Sequence, residues 1–176
     1  MNVNCSEQVV VQLGFLKNVP VFIGLPEEKL KKIQEIITEE QYAASEIIIK
    51  DGDHGETMYI LLDGEVSISK KLTLLPSDDE HDVKDKVLIK LSARHYAIFG
   101  EMALFEEKSE RSATVGALTH CKVGTINRAD FLQLVEKDSE LGAITFKNIA
   151  IILSERLKKA NKDIVKLTTA LSLALG

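Results

Sequence analysis

The spacing of apolar residues switches twice along the chain, near Glu39 and near Asn127, and these switches limit the possible folds more than any other feature of the sequence. From about Glu39 to Ile126 the apolar residues come in short β-branched runs, EIIIK, TMYILLD, EVSISKK, KVLIKL and RSATV, broken by Gly and Asp. Such runs predict strands joined by turns. The turns fall at Asp51-Gly52-Asp53-His54-Gly55 and at Asp63-Gly64, where Gly and Asp allow tight reversals. After Asn127 the helical period takes over, first in RADFLQLVEKD and then from Ser139 onward, with no Pro and no Gly between Gly142 and Gly176. Ahead of the strands, Leu25 to Ile37 begins with Pro26, Glu27 and Glu28, which suit a helix amino terminus, and sets Leu30, Ile33, Ile36 and Ile37 on one face. The pattern predicts an α+β, mainly-β domain: a helical lead-in over residues 1–38, a β unit over 39–126, and C-terminal helices over 127–176.

A chain of 176 residues suits one domain with a core of its own. No apolar run approaches the roughly 18 residues that cross a bilayer, and the amino terminus lacks the basic and apolar segments of a secretory signal. A soluble, cytoplasmic protein without membrane contact is expected. A net charge of -5 gives no broad attraction to phosphate backbones, so no direct nucleic-acid partner is expected. Cys5 and Cys121 stand apart from each other and from any ligand spacing, which predicts reduced thiols and no zinc site. The acidic stretch from Lys71 to Lys86 reads as a solvated loop, with weak cation binding near His81 the lesser alternative.

On the long terminal helix, Phe146, Ala150, Leu153, Leu157, Ala160, Ile164, Leu167 and Leu171 alternate steps of four and three, a heptad seam. The seam suits the same helix of a second subunit, although it also suits packing on the chain's own β unit. Roughly 25 helical residues would span nearly 40 Å, more than a small β unit covers easily.

The stretch most informative about chemistry is FGEMALFEEKSERSATV, Phe99 to Val115. Gly100 admits close backbone approach, the amides that open EMALF face outward, and Arg111, at the head of the RSATV strand, adds a planar cation. Together they suit one phosphate. A carboxylate such as Glu101 repels an anion unless it has another task, and accepting hydrogen bonds from sugar hydroxyls is such a task. The alternative is that Glu101 and Arg111 simply pair with each other.

Taken together, FGEMAL, FEEKSE and RSATV resemble the phosphate-binding cassette of the cyclic-nucleotide-binding domain family. FLKNVPVFIGLPEEKL resembles that family's amino-terminal helices, and EIIIKDGDHGETMYILLDGEVSI its early strands. The ten-residue step from Glu101 to Arg111 and the string ERSA resemble the bacterial catabolite activator branch more than the kinase regulatory subunits. The resemblance implies an eight-stranded, jelly-roll-like β-roll, with Glu101 on the ribose 2′-hydroxyl and Arg111 on the cyclic phosphate. Phe99, Gly100, Met102, Ala103, Ser112 and Ala113 would line the pocket, and Ile68 and Leu88 would wall the base. RLKKANKDI resembles the family's lid helix and would bring Arg156, Ala160 or Asn161 near the purine, although an exposed helical Asn has no need of such a role. One segment departs from the pattern: LSARHYAIFGE is longer than the usual L-x-x-G-D-x-F-G-E and lacks its glycine.

Other chemistries fit poorly. A cupin-like metal enzyme needs an H-x-H pair, whereas His54 and Glu56 give only a fragment. A calcium loop counted from Asp51 would put Glu56 where glycine is required. With no phosphate-binding loop, nucleophile elbow or catalytic Cys/His pair, the chain reads as a non-catalytic sensor with neither cofactor nor metal. Its ligand would be cAMP, or cGMP as the alternative, because Ser112 suits both and the cassette looks bacterial. Three readings stay open: a stand-alone sensor acting on a protein effector through its dimer seam, the regulatory piece of a longer polypeptide, or a repurposed scaffold without nucleotide. In the sensor readings, ligand closes cassette and lid and so shifts the helix population.

Overall fold

The computed structural model of the chain describes residues 11–71, 85–105 and 110–175. Cys5, most of the acidic loop with His81, and positions 106–109 of the cassette lie outside the described residues. Among the described residues, eight strands form two four-stranded antiparallel sheets, as expected of a β-roll. The strands are β1 (Ile37–Tyr42), β2 (Ile47–Ile49), β3 (Thr57–Asp63), β4 (Glu65–Lys71), β5 (Asp85–Ser92), β6 (Ile98–Phe99), β7 (Thr114–Ala117) and β8 (Cys121–Asn127). One sheet has the order β1-β8-β3-β6 and the other β2-β7-β4-β5. Helices α1 (Leu13–Leu16) and α2 (Glu27–Glu35) precede the roll, and α3 (Arg128–Lys137) and α4 (Ser139–Leu175) follow it.

The first sheet is covered on both faces, which explains why TMYILLD reads as one apolar run rather than an alternating one. Met58 and Ile60 of β3 face a cluster formed with Leu16, Phe22, Leu30, Ile33, Phe131 and Leu141 from the helices. Leu61 instead joins Ile49, Val66, Phe99, Val115 and Val123 between the two sheets. The turn between β3 and β4 needs Gly64: its φ is +87°, and a Cβ there would sit 2.4 Å from the His120 carbonyl.

Two boundaries differ from the sequence reading, and one segment takes a shape of its own. β1 begins at Ile37, two residues early, because Ile37 pairs with Ile126 across the ladder and the β-branched pair Ile36-Ile37 ends α2. β7 begins at Thr114, so Arg111 lies ahead of the strand, separated from it by a bend at Ser112 and Ala113, rather than at its head. The departing segment LSARHYAIFGE forms a short 3-10 turn, Ala93–His95, and ends at Tyr96 in the left-handed region, φ +51°. Tyr96 thus takes the backbone shape that glycine favours, and its ring packs edge-on against Phe15 at 5.0 Å.

Helix α4 divides into two parts. Its first turns pack on the body: Leu141, Thr145 and Ile149 are buried, and Asn148 Nδ2 donates to the carbonyls of Val21 at 2.9 Å and Ile23 at 2.8 Å. From Ser154 to Ala174 every residue is exposed. The outer seam, Leu157, Ala160, Ile164, Leu167 and Leu171, therefore does not pack on the chain's own β unit.

Candidate functional site

Residues of the cassette, with Ile49 of β2, Ile68 of β4 and Arg156 of α4, line one cavity of about 380 Å³. Arg111 is fixed by its backbone: its N–H donates to the Asp53 carbonyl, and its carbonyl accepts from Gly52 N–H, both at 2.8 Å. The Asp51–Gly55 turn therefore sets where this side chain starts. Arg111 is 8% exposed, yet no carboxylate among the described residues pairs with it. Burial lowers its pKa from the ordinary arginine value, with Tyr59 acting in the opposite direction. The guanidinium remains charged at neutral pH.

Gly100, at φ +71°, turns the chain from β6 into the 3-10 turn Glu101–Leu104. A Cβ on Gly100 would sit 3.0 Å from both Arg111 Nη1 and the Thr57 carbonyl, so the glycine supplies an unusual backbone angle and room for the cation. Glu101 is 3% exposed. Its Oε1 accepts from Arg156 Nη1 of α4, whose Nη2 donates to the Ile98 carbonyl at 3.1 Å. Its Oε2 is buried without a hydrogen-bond partner among the described residues. Glu101 and Arg111 are thus not paired with each other: the carboxylate pairs with the helix, and the cassette cation has no carboxylate among the described residues.

Of the thirteen residues singled out in the sequence, ten line this cavity: Phe99, Gly100, Glu101, Met102, Ala103, Arg111, Ser112, Ala113, Ile68 and Arg156. Leu88, Ala160 and Asn161 do not. Leu88 falls at a bulge, where Ile68 pairs with Ile89 and Ser69 with Val87, and it is 58% exposed. Ala160 and Asn161 sit on the exposed part of α4, beyond Arg156. Ile49, Glu110 and Val115 line the cavity without having been singled out. Val115 is the last residue of the RSATV string, but the bend at Ala113 breaks the two-residue alternation that would link them.

Residues 39–138, which hold both glycine turns and the whole cassette, match the family model described as cyclic nucleotide-binding domain. The chain belongs to the cyclic nucleotide-binding domain family. Proteins similar to it include cGMP-dependent protein kinase, isozyme 1, of Drosophila melanogaster, 33% identical over 77% of this chain and 16% of the kinase. Another is the cAMP-activated global transcriptional regulator Vfr of Pseudomonas aeruginosa, 30% identical over 77% of this chain and 60% of the regulator. The chain thus spans less than two thirds of either relative. A solved cyclic nucleotide-binding domain from Methylobacillus flagellatus shares the fold, with a TM-score of 0.73 at 19% identity, covering 87% of this chain and 82% of that one.

Proposed function

We propose that this domain is a non-catalytic sensor that binds a cyclic nucleotide, cAMP in preference to cGMP, in the cassette cavity. The observation that carries the reading is the meeting of two groups in one cavity: Glu101 Oε2, buried without a hydrogen-bond partner among the described residues, and the buried residue Arg111, which no carboxylate among the described residues pairs with. Buried groups of this kind are costly unless a ligand completes them. A cyclic phosphate supplies acceptors for Arg111, and a ribose 2′-hydroxyl supplies a donor for Glu101 Oε2. Ser112 adds a hydroxyl at the phosphate, and Ile68 an apolar wall. The volume suits one mononucleotide. The preference for cAMP rests on the ten-residue step and the string ERSA, since the relatives include both a cGMP-dependent kinase and a cAMP-activated regulator.

The signal leaves through α4. Arg156 joins the helix to Glu101, a ligand-facing group, and the exposed seam beyond Ser154 offers a face for the same helix of a second copy. A partner effector would sense movement of that face. Calorimetric titration with cAMP and cGMP tests the binding: micromolar or tighter binding of cAMP, weaker binding of cGMP, and loss in Arg111→Ala are expected. Absence of heat with both nucleotides would make the roll a scaffold without nucleotide.

A further inference from the structure

We propose that Gly55 and Tyr59 are positioning residues that hold the Arg111 guanidinium in a slot and leave its N–H donors unoccupied. The proposal rests on the nucleotide reading above and deepens it. A Cβ at Gly55 would lie 2.5 Å from both Nε and Nη2 of Arg111 and 2.7 Å from Cζ. Gly55, unlike Gly52, has no positive φ, so what this position needs is the empty space, not glycine's backbone freedom. On another side, Arg111 Cζ lies 5.8 Å from the centroid of the Tyr59 ring, over its face. That ring is itself fixed, stacked on Phe99 at 5.0 Å with 3° between the planes, and Tyr59 and Phe99 are direct partners across β3 and β6. The absent side chain of Gly100 leaves a gap against the same two groups, 3.0 Å from Arg111 Nη1 and 3.4 Å from Tyr59 Cδ2.

Neither Gly55 nor Tyr59 lines the cavity, so both act through Arg111. A carboxylate would hold a guanidinium more firmly, but it would occupy the fork that a phosphate needs and would have to be displaced. An aromatic face attracts the charge and uses none of those donors. The slot thus keeps a buried cation in place and available.

The test uses the whole chain with Gly55→Ala, Tyr59→Leu and Tyr59→Phe, read by calorimetry with cAMP and by the NMR signal of the Arg111 side-chain Nε–H in ligand-free protein. In the wild type that signal is expected upfield of the exposed arginines, owing to the ring. Gly55→Ala displaces the far end of a flexible side chain, so the fold survives; its affinity is expected to fall by as much as in Arg111→Ala, roughly tenfold to a hundredfold. Tyr59→Leu is expected to cost roughly 2- to 30-fold and to move the Nε–H signal downfield, whereas Tyr59→Phe keeps both. Wild-type affinity in Gly55→Ala and Tyr59→Leu, or a wild-type Nε–H signal matching the exposed arginines, would overturn the proposal. If the wild type bound no nucleotide, the nucleotide reading would fall, and the Nε–H signal would still decide the slot.

Discussion

At the residue scale the site trades stability for readiness. An arginine that is 8% exposed, with no carboxylate partner among the described residues, is destabilising in the ligand-free protein. Arg111→Leu is therefore expected to abolish nucleotide binding and to raise the ligand-free unfolding midpoint, with a gain of about 1 kcal/mol by analogy with other buried ions replaced by apolar groups. Thermal melts with and without cAMP check both halves: the wild type should be stabilised by nucleotide and the variant should not. Glu101→Gln is expected to weaken cAMP binding about tenfold, because it removes the charge from the hydroxyl acceptor and from the Arg156 pair together. The residue types and spacing of Gly100, Glu101 and Arg111 make all three legible in the sequence. The Arg156 pair is not, since nothing in sequence links positions that only the course of α4 brings together. The role of Gly55 is equally hidden: its place in a Gly/Asp turn suggests backbone freedom, whereas the fold fills the space beside it with another residue's side chain.

At the scale of elements, the joint between α3 and α4 is held by an ion cluster. The Asp138 carboxylate accepts from Lys29 Nζ at 2.6 Å, from Lys32 Nζ at 2.7 Å and from Leu141 N–H at 3.1 Å, tying α2 to the start of α4. The hydrogen bonds from Lys29 and Lys32 hold the Asp138 pKa well below the usual carboxylate range, and the Asp138 bond in turn raises that of Lys29. A depressed carboxylate contributes stability that is fully present above its unfolded value, about 3.9, and is lost as pH falls through the folded value. A raised lysine contributes stability that is present below its unfolded value, about 10.4, and is lost as pH rises through the folded value. Asp138→Asn is therefore expected to lower the unfolding midpoint at pH 7, with the gap to wild type narrowing below about pH 4 and above about pH 10.4. Melting curves across that range check the prediction. The strands themselves are legible from β-branched runs and glycine turns, but the bulge that turns Leu88 away from the cavity is not, because one extra residue leaves no mark in composition. The left-handed Tyr96 is likewise invisible, since only its packing on Phe15 shows what accompanies that backbone shape.

At the scale of the whole molecule, α4 carries one residue of the cavity lining, Arg156, and runs on exposed beyond it. The heptad spacing is plain in the sequence, whereas the point at which the helix leaves the body is visible only in the fold. If the seam joins two copies, sedimentation equilibrium will show a dimer, and Ile164→Glu with Leu167→Glu will give a monomer that keeps its cAMP affinity, because both residues lie far along the exposed part of the helix. Hydrogen exchange over residues 139–171 is expected to change on saturation with cAMP. An unchanged pattern would separate binding from transmission. The free part of α4 is also a mechanical arm. From Ser154 to Ala174 it reaches roughly 30 Å, so a tilt of about 10° at Arg156 sweeps its tip through roughly 5 Å. Packed helices lie only about 8–10 Å apart, so in the proposed sensor such leverage would turn a change too small to open the cavity into one large enough to separate or seat a neighbouring helix.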